Sequence, residues 1–439
     1  MSVETYSVTW FKTLRESYPQ WSDFSQYITS QEGGSLVVAD ESEKDNLCII
    51  RYIKGHSDFS KQHVRWFRSV VWDKYTNMPV CVAPPKASVG VPDGTLNTAY
   101  NDFQCQPFID GTMINSFKIA GIYKCFIATR SKIGATGSFY SDRSFADMFQ
   151  DAVDRLGVGN STCYNDPVNN EDVATFTSYV LQHPENRIVS EISSPKLFQI
   201  HTGEVKTDGT VIITEGSYKI FGNYKKLYIP EFRSHVNMND KDINKWFELV
   251  ADTMDHNWKG VVFKDGYGGR WKFVSPKYNA NLALRGNEAG SLDRFIRLRQ
   301  EKLVGYYLEY YKEDCDRFWR LEKCVRVMTC KLYEIYTSIH KLHEHHTDAL
   351  ERCWKQHVYA IHGIFKNILQ PSRQSVNIKV VIEYVNSLSV KQLQYLMKNV
   401  TYPWKTEEVP VVDHIELDGG DYTTPVSSDG ACYCAECYS

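Results

Sequence analysis

The sequence predicts an α+β fold, a β-rich domain followed by an all-helical one. Two observations carry that prediction. From Val64 to about Gly286, short runs of β-branched and aromatic residues alternate with turn residues. Beyond Gly286 the texture changes: no proline occurs between Pro276 and Pro371, and residues 291–370 repeat Leu, Tyr, Arg, Lys and Glu at helical spacing. With 439 residues, 42% of them hydrophobic, the chain can bury a core in each of two domains.

Residues 1–63 mix apolar patches with polar turns and read as an N-terminal extension, with Trp10-Phe11 and Trp21 packing on the body. Ser69-Val-Val-Trp-Asp73 and Pro79-Val-Cys-Val-Ala83 are joined by Lys74-Tyr-Thr-Asn-Met78 and read as a hairpin. Met113–Phe117 and Tyr123–Ala128 form a second pair about Ala120-Gly121. Phe145, Met148, Phe149 and Val153 share one helical face, with Ser144 as N-cap. Thr175–Val180, Lys196–Ile200 and Gly260–Lys264 are further strands, and Gly266, Gly268 and Gly269 mark a hairpin turn rather than a phosphate loop. The helical domain is expected over 287–400, and residues 401–439, acidic and rich in Gly, Ser and Pro, read as a flexible tail.

Composition bounds the function. The formal net charge is −3, so any nucleic-acid binding must rest on a local basic surface. The 28 Tyr, 21 Phe and 10 Trp serve packing by default and base stacking by exception. No run of about 18 apolar residues suggests a membrane span, and Met1-Ser-Val-Glu-Thr-Tyr6 lacks the basic and apolar regions of a secretory signal. The 12 cysteines, scattered through a long chain, are expected to be reduced in the cytoplasm.

The chemistry lies in a set of segments. Gln106-Pro-Phe-Ile-Asp-Gly-Thr-Met-Ile-Asn115 is preceded by Arg68-Ser-Val-Val-Trp-Asp73 and Pro84-Pro-Lys86, and followed by Ala128-Thr-Arg-Ser131. Leu181-Gln-His-Pro-Glu-Asn-Arg-Ile-Val189, Lys259-Gly-Val-Val262, Arg270-Trp-Lys-Phe273 and Pro276-Lys-Tyr278 come next. In this order they resemble the motifs of the phage-type RNA ligases within the covalent nucleotidyltransferases, and more closely their divergent relatives in large DNA viruses. The resemblance spans roughly residues 64–286. It implies a nucleotidyltransferase domain of mixed antiparallel sheets, a helical C-terminal domain associated with RNA, ATP or another nucleotide as cofactor, and, for a viral chain, the host cytoplasm.

The departures are chemical. The family's Lys-x-Asp-Gly lysine attacks an α-phosphate, and here that position is Phe108, which has no lone pair. Val180 and Lys259 stand where the family has glutamates. Asp110, Gly111 and Arg130 remain, with Arg270 and Lys272 as the cations of the last motif. Losing two carboxylates and gaining Lys259 makes a cationic pocket that suits phosphates without a tightly held divalent metal. The resemblance then implies that Arg130, Lys259, Arg270 and Lys272 contact phosphates, that Asp110 meets ribose or base, and that Phe108 lines the base pocket. Lys118, Lys86 and Lys259 are the candidates for a surrogate nucleophile, each reading more simply as a phosphate-binding or surface lysine.

Other signals are weaker. His340, His343 and His346 recur at helical spacing, and Cys432, Cys434 and Cys437 crowd the tail. A basic and aromatic run, Arg294, Arg297, Arg299, Lys302, Tyr306, Tyr307, Tyr310 and Tyr311, suits either an RNA track or an ordinary amphipathic helix. Three functions stay open at this point. One is a non-covalent reader of a nucleotide, a capped or phosphorylated RNA end or an RNA junction. Another is an active ATP-dependent ligase or nucleotidyltransferase with a displaced lysine. The third is a scaffolding pseudoenzyme whose helical domain binds a protein partner.

Overall fold

Strand after strand in the first two-thirds of the chain carries β-branched and aromatic residues, and among the described residues these build three sheets. A computed structural model describes residues 5–90, 92, 104–155, 168–169, 171–215, 240–347 and 350–399. The cysteine-rich tail and the first four residues lie outside the described residues. The chain divides into two compact units, Met1–Ala283 and Leu284–Ser439. It is α+β, with antiparallel sheets in the first unit and helices in the second.

The first unit opens with β1 (Thr5–Val8), α1 (Trp10–Ser17), α2 (Trp21–Thr29), β2 (Val37–Ser42) and β3 (Leu47–Arg51). Next come β4 (Val70–Asp73), β5 (Met78–Val82), β6 (Ser88–Val89), β7 (Gln104–Pro107), β8 (Thr112–Ile119) and β9 (Phe126–Ala128). Helix α3 (Phe145–Arg155) precedes β10 (Asp172–Gln182), β11 (Lys196–Lys206) and β12 (Val211–Glu215). Helix α4 (Asp240–Thr253), β13 (Gly260–Lys264), β14 (Arg270–Val274) and α5 (Pro276–Arg285) complete it. The sheets run β1-β12-β11-β10-β8-β9, β6-β14-β13-β7 and β2-β3-β4-β5. Every pair is antiparallel except the short β6–β14 contact, which is parallel.

Several local expectations have their counterparts here. β4–β5 and β8–β9 are hairpin pairs. Ser144 Oγ accepts the Asp147 N–H at 3.1 Å and so caps α3. The glycine-rich turn joins β13 to β14, with Asp265 accepting the Gly269 and Tyr267 N–H groups. The expected N-terminal extension is corrected. Residues 5–51 supply the edge strand of the six-stranded sheet and two strands of a four-stranded one. Their β-branched residues were too short a run each to read as strands without their distant partners. Phe11 and Phe24 are fully buried against Trp72, and Phe24 stacks on its indole at 4.3 Å.

A buried polar cluster joins the ends of several strands. Glu215 accepts from Tyr6 Oη at 2.9 Å, Lys264 Nζ at 2.8 Å and Arg270 Nη2 at 2.5 Å. His201 on β11 lies nearby, its Nε2 donating to the Val82 carbonyl at 3.0 Å. Burial pushes the His201 imidazole down to about 3, against the opposing pull of Glu215.

The second unit holds α6 (Ser291–Gln300), α7 (Val304–Tyr310), α8 (Cys315–His340) and α9 (Arg352–Ile364), which runs into a π-helical turn, Phe365–Leu369. Its last described elements are α10 (Ile378–Ser387) and α11 (Val390–Asn399). Phe295, Leu298, Phe318, Leu332, Val358 and Leu396 form its core. The basic and aromatic run is consumed by this packing. Tyr307 and Tyr311 are buried, and Arg294 joins Arg285 and Tyr307 around Asp314. Arg297 pairs with Glu288 and Glu301, and Arg299 with Glu322. Only Tyr306 and Tyr310 of those tyrosines face outward, as an edge-to-face pair. The histidine face is corrected as well: α8 ends at His340, and His343 has a φ of 56° in the turn beyond it. His340 stacks instead on His362 at 3.9 Å.

His201 gives a pH prediction. A histidine with a depressed folded pKa contributes stability that is complete above its unfolded value and lost as pH falls toward the folded one. The window is therefore from about 6.5 down to about 3. Urea unfolding should show stability dropping between pH 6.5 and 4 by on the order of 3 kcal/mol from this group. His201→Gln should flatten that slope, and an unchanged slope would exclude His201 as its source.

Candidate functional site

The site grows from one turn. After β7, the chain passes through Phe108, Ile109 and Asp110 into β8, which belongs to a different sheet. Gly111 makes the crossing possible: its φ is 146°, and a Cβ there would meet the Leu181 carbonyl oxygen at 2.4 Å. The turn is therefore pressed onto β10, where Val180 takes the place of the expected glutamate and Gln182 Nε2 donates to the Asp110 carbonyl at 2.8 Å.

Asp110 is 2% exposed, yet its carboxylate is fully engaged. The backbone N–H groups of Val189 and Ser190 each donate to Oδ2 at 3.1 Å. Tyr278 Oη, from the first turn of α5, donates to Oδ1 at 2.5 Å. Lys259 Nζ lies 3.3 Å from the same oxygen and 3.4 Å from the Ile109 carbonyl. Burial alone would raise the pKa of Asp110. Lys259, the Tyr278 hydroxyl and the two N–H groups outweigh it and hold the carboxyl below its ordinary range.

Lys259 is half-buried at the end of the turn into β13. Its Nζ sits 4.3 Å from the Phe108 ring centroid and 5.4 Å from that of Tyr278. Burial lowers its pKa and Arg68 adds to the effect, although Asp110 opposes both. The face of Phe108 expected to receive a base thus carries an ammonium group, with Lys272 Nζ 5.7 Å from the same ring.

Around this amine stands a cluster of cations. Lys272 on β14 has its pKa lowered by burial and then by Arg68, Lys259, Lys54 and Lys86. Arg68 is lowered by burial, with Arg130 and Arg270 contributing. Lys86 is lowered by burial and by Lys54, and its Nζ lies 3.2 Å over the Phe59 ring. Among the described residues, no carboxylate forms an ion pair with Arg68, Lys272, Lys86 or Lys54. A chain of net charge −3 has concentrated positive charge at one place.

The expected site residues therefore separate. Phe108, Asp110, Gly111, Lys259 and Lys272 come together. Arg130 stands at the side: its Nε and Nη2 donate to the carbonyls of Arg68 and Tyr52 at 3.3 and 3.2 Å, which fixes the backbone that presents Arg68. Arg270 is buried and committed to Glu215, so it backs the cluster. Lys86 lies on the rim near Lys272. Lys118 is six positions along β8 from Thr112, about 20 Å at strand rise, paired with Thr175. Reading the sequence missed Arg68 and Tyr278 as site residues. Both lay inside recognised segments, but nothing in their spacing showed that Arg68 stays without a carboxylate or that Tyr278 reaches Asp110.

The residues do not fit a tightly held divalent cation. The nearest carboxylate, Asp110, has its oxygens occupied by four donors. Among the described residues, no three His, Cys, Asp or Glu side chains gather as a metal site requires. No described helix is long and apolar enough to cross a membrane.

Tyr278→Phe should remove one charge-assisted bond to Asp110 and lower the unfolding free energy by about 1.5–3 kcal/mol. Urea denaturation checks this, and an unchanged midpoint would show that the bond contributes nothing.

No protein-family model matches the chain, and no curated protein matches it either. Among solved structures it is similar to one titled "Archaeal ATP-dependent RNA ligase - form 2", at 11% identity and a TM-score of 0.29, over 73% of this chain and 82% of that one. At that TM-score the pocket's own residues, not the likeness, bear the functional reading.

Proposed function

We propose that the first unit is a ligase-type pocket that binds the phosphates of a nucleotide or of a phosphorylated RNA end. The observation that carries this reading is the cluster of Arg68, Lys272, Lys259 and Lys86, each lowered in pKa by burial and then by neighbouring cations, with Asp110 on Lys259 as the one carboxylate ion-paired to them among the described residues. Such a cluster is costly when empty, because partly buried cations repel and are poorly hydrated. A polyanion relieves that repulsion and accepts charge-assisted hydrogen bonds from every member. Arg68 supplies the planar fork that matches phosphate oxygens, while the lysines act as point charges.

A second support is the origin of these residues. They come from the segments that resemble the ligase motifs, scattered between Arg68 and Tyr278, and they converge on one turn. Chance similarity of short segments gives no reason for that convergence. The negative charge of the whole chain argues against indiscriminate adhesion to nucleic acid, so recognition is local to the pocket. RNA is the favoured partner where the phosphates belong to a 5′ end, and ATP or another nucleoside triphosphate where they belong to a free nucleotide.

Binding of nucleoside triphosphates and of a 5′-triphosphorylated RNA oligomer should be saturable and weaken as salt rises. Arg68→Ala and Lys272→Ala should each weaken it tenfold or more, about 1.4 kcal/mol or greater. Fluorescence anisotropy at several salt concentrations measures both. An oligomer with a 5′-hydroxyl bound equally well would refute recognition of the end phosphates, and a folded wild-type chain that binds none of these ligands would refute the reading as a whole.

A further inference from the structure

The pocket contains a lysine amine close to the place where Phe108 leaves none. Phe108 follows β7 and Lys259 precedes β13, and those strands pair antiparallel with Pro107 opposite Val261. The Phe108 N–H donates to the Gly260 carbonyl at 2.9 Å. Lys259 is therefore rooted on the neighbouring strand, one spacing of about 4.8 Å away. A lysine side chain is longer than that, so moving its root across one strand still lets the amine return over residue 108. The contact of Nζ with the Phe108 ring at 4.3 Å is the outcome. Gly260 is needed for the arrangement: its φ is 131°, and a Cβ there would lie 2.1 Å from the Phe273 carbonyl oxygen.

The surroundings of Nζ are those an attacking amine requires. Asp110 Oδ1 is 3.3 Å away and orients the amine. Burial and the nearby Arg68 disfavour the ammonium form. Arg68 and Lys272 stand where they can stabilise charge building on a departing phosphate chain. Phe108, unreactive itself, gives the amine a flat wall that fixes its direction.

Resting on the nucleotide-pocket reading above, we propose that Lys259 is a relocated nucleophile that accepts a nucleotidyl group from a nucleoside triphosphate. The Lys259 ammonium releases one proton to solvent, and the freed lone pair forms an Nζ–P bond at the α-phosphorus. The bond from that phosphorus to the oxygen bridging to the β-phosphate breaks, and its electron pair leaves on pyrophosphate. The nitrogen releases a second proton to solvent, leaving a phosphoramidate on Lys259. The swap of lysine between the two strands thus conserves an amine in the pocket while removing a glutamate from it.

The test uses the full chain with α-labelled nucleoside triphosphates, in magnesium or manganese, followed by denaturing gel, intact mass and peptide mapping. Equilibrium dialysis of the same nucleotides runs in parallel. The expected result is one acid-labile nucleotidyl group per chain, mapped to Lys259, lost in Lys259→Met and retained in Lys118→Met. Saturable binding without an adduct, or an adduct on another side chain, overturns the relocated nucleophile and leaves the pocket reading standing. Neither binding nor adduct in a chain with intact thermal unfolding overturns both. Since Lys259→Met strands a buried carboxylate, mapping on the wild-type chain decides the question if that variant does not fold.

Discussion

The buried carboxylate of Asp110 is the contact on which the pocket depends. It takes hydrogen bonds from the segment after β10, from the turn before β13 and from α5, so one side chain ties three distant stretches to the turn after β7. A carboxylate removed from water is tolerated only when its lone pairs are satisfied, and losing its charged partner typically costs about 3–5 kcal/mol. The segments are thereby held to a common geometry, and the cations they carry are held with them. Gly111 makes the approach possible, since any side chain there would collide with β10.

Charge is distributed with a clear division. Arg270 and Lys272 lie two residues apart on β14, on the same face of the strand. Arg270 is neutralised by Glu215 in the interior, whereas Lys272 meets Arg68, Lys259, Lys54 and Lys86. Positive charge is thus quenched at Arg270 and, two residues further along the same face, left without an ion-paired carboxylate at Lys272. The pocket's field comes from this local imbalance, not from the composition of the chain.

Much of the fold was legible in the sequence because the signals were local. The β4–β5 and β8–β9 hairpins, the Ser144 cap, the turn between β13 and β14 and the helical character of 291–370 follow from neighbouring residues. The strands β1, β2 and β3 were not legible, because short strands take their identity from the strands they pair with. The site was half legible. Motif order identified Asp110, Gly111, Lys259 and Lys272, but only the folded chain shows Arg270 and Arg130 spending their donors on Glu215 and on backbone carbonyls. The same holds for the helical unit, where Arg294, Arg297 and Arg299 look like a phosphate track in one dimension and are ion-paired in three.

The position of β1 has a consequence for how the chain is made. Its hydrogen-bonding partner is β12, and Tyr6 reaches Glu215 across 209 positions of sequence. At about 5–20 residues per second, a ribosome needs on the order of ten to forty seconds to supply that partner. Throughout that interval β1 lacks the strand with which it pairs. Closure of the six-stranded sheet is therefore a late event of synthesis, after most of the unit's residues already exist. Contacts of such long range also fold slowly. Until β12 exists, the edge of β1 that it will occupy is open to other pairing.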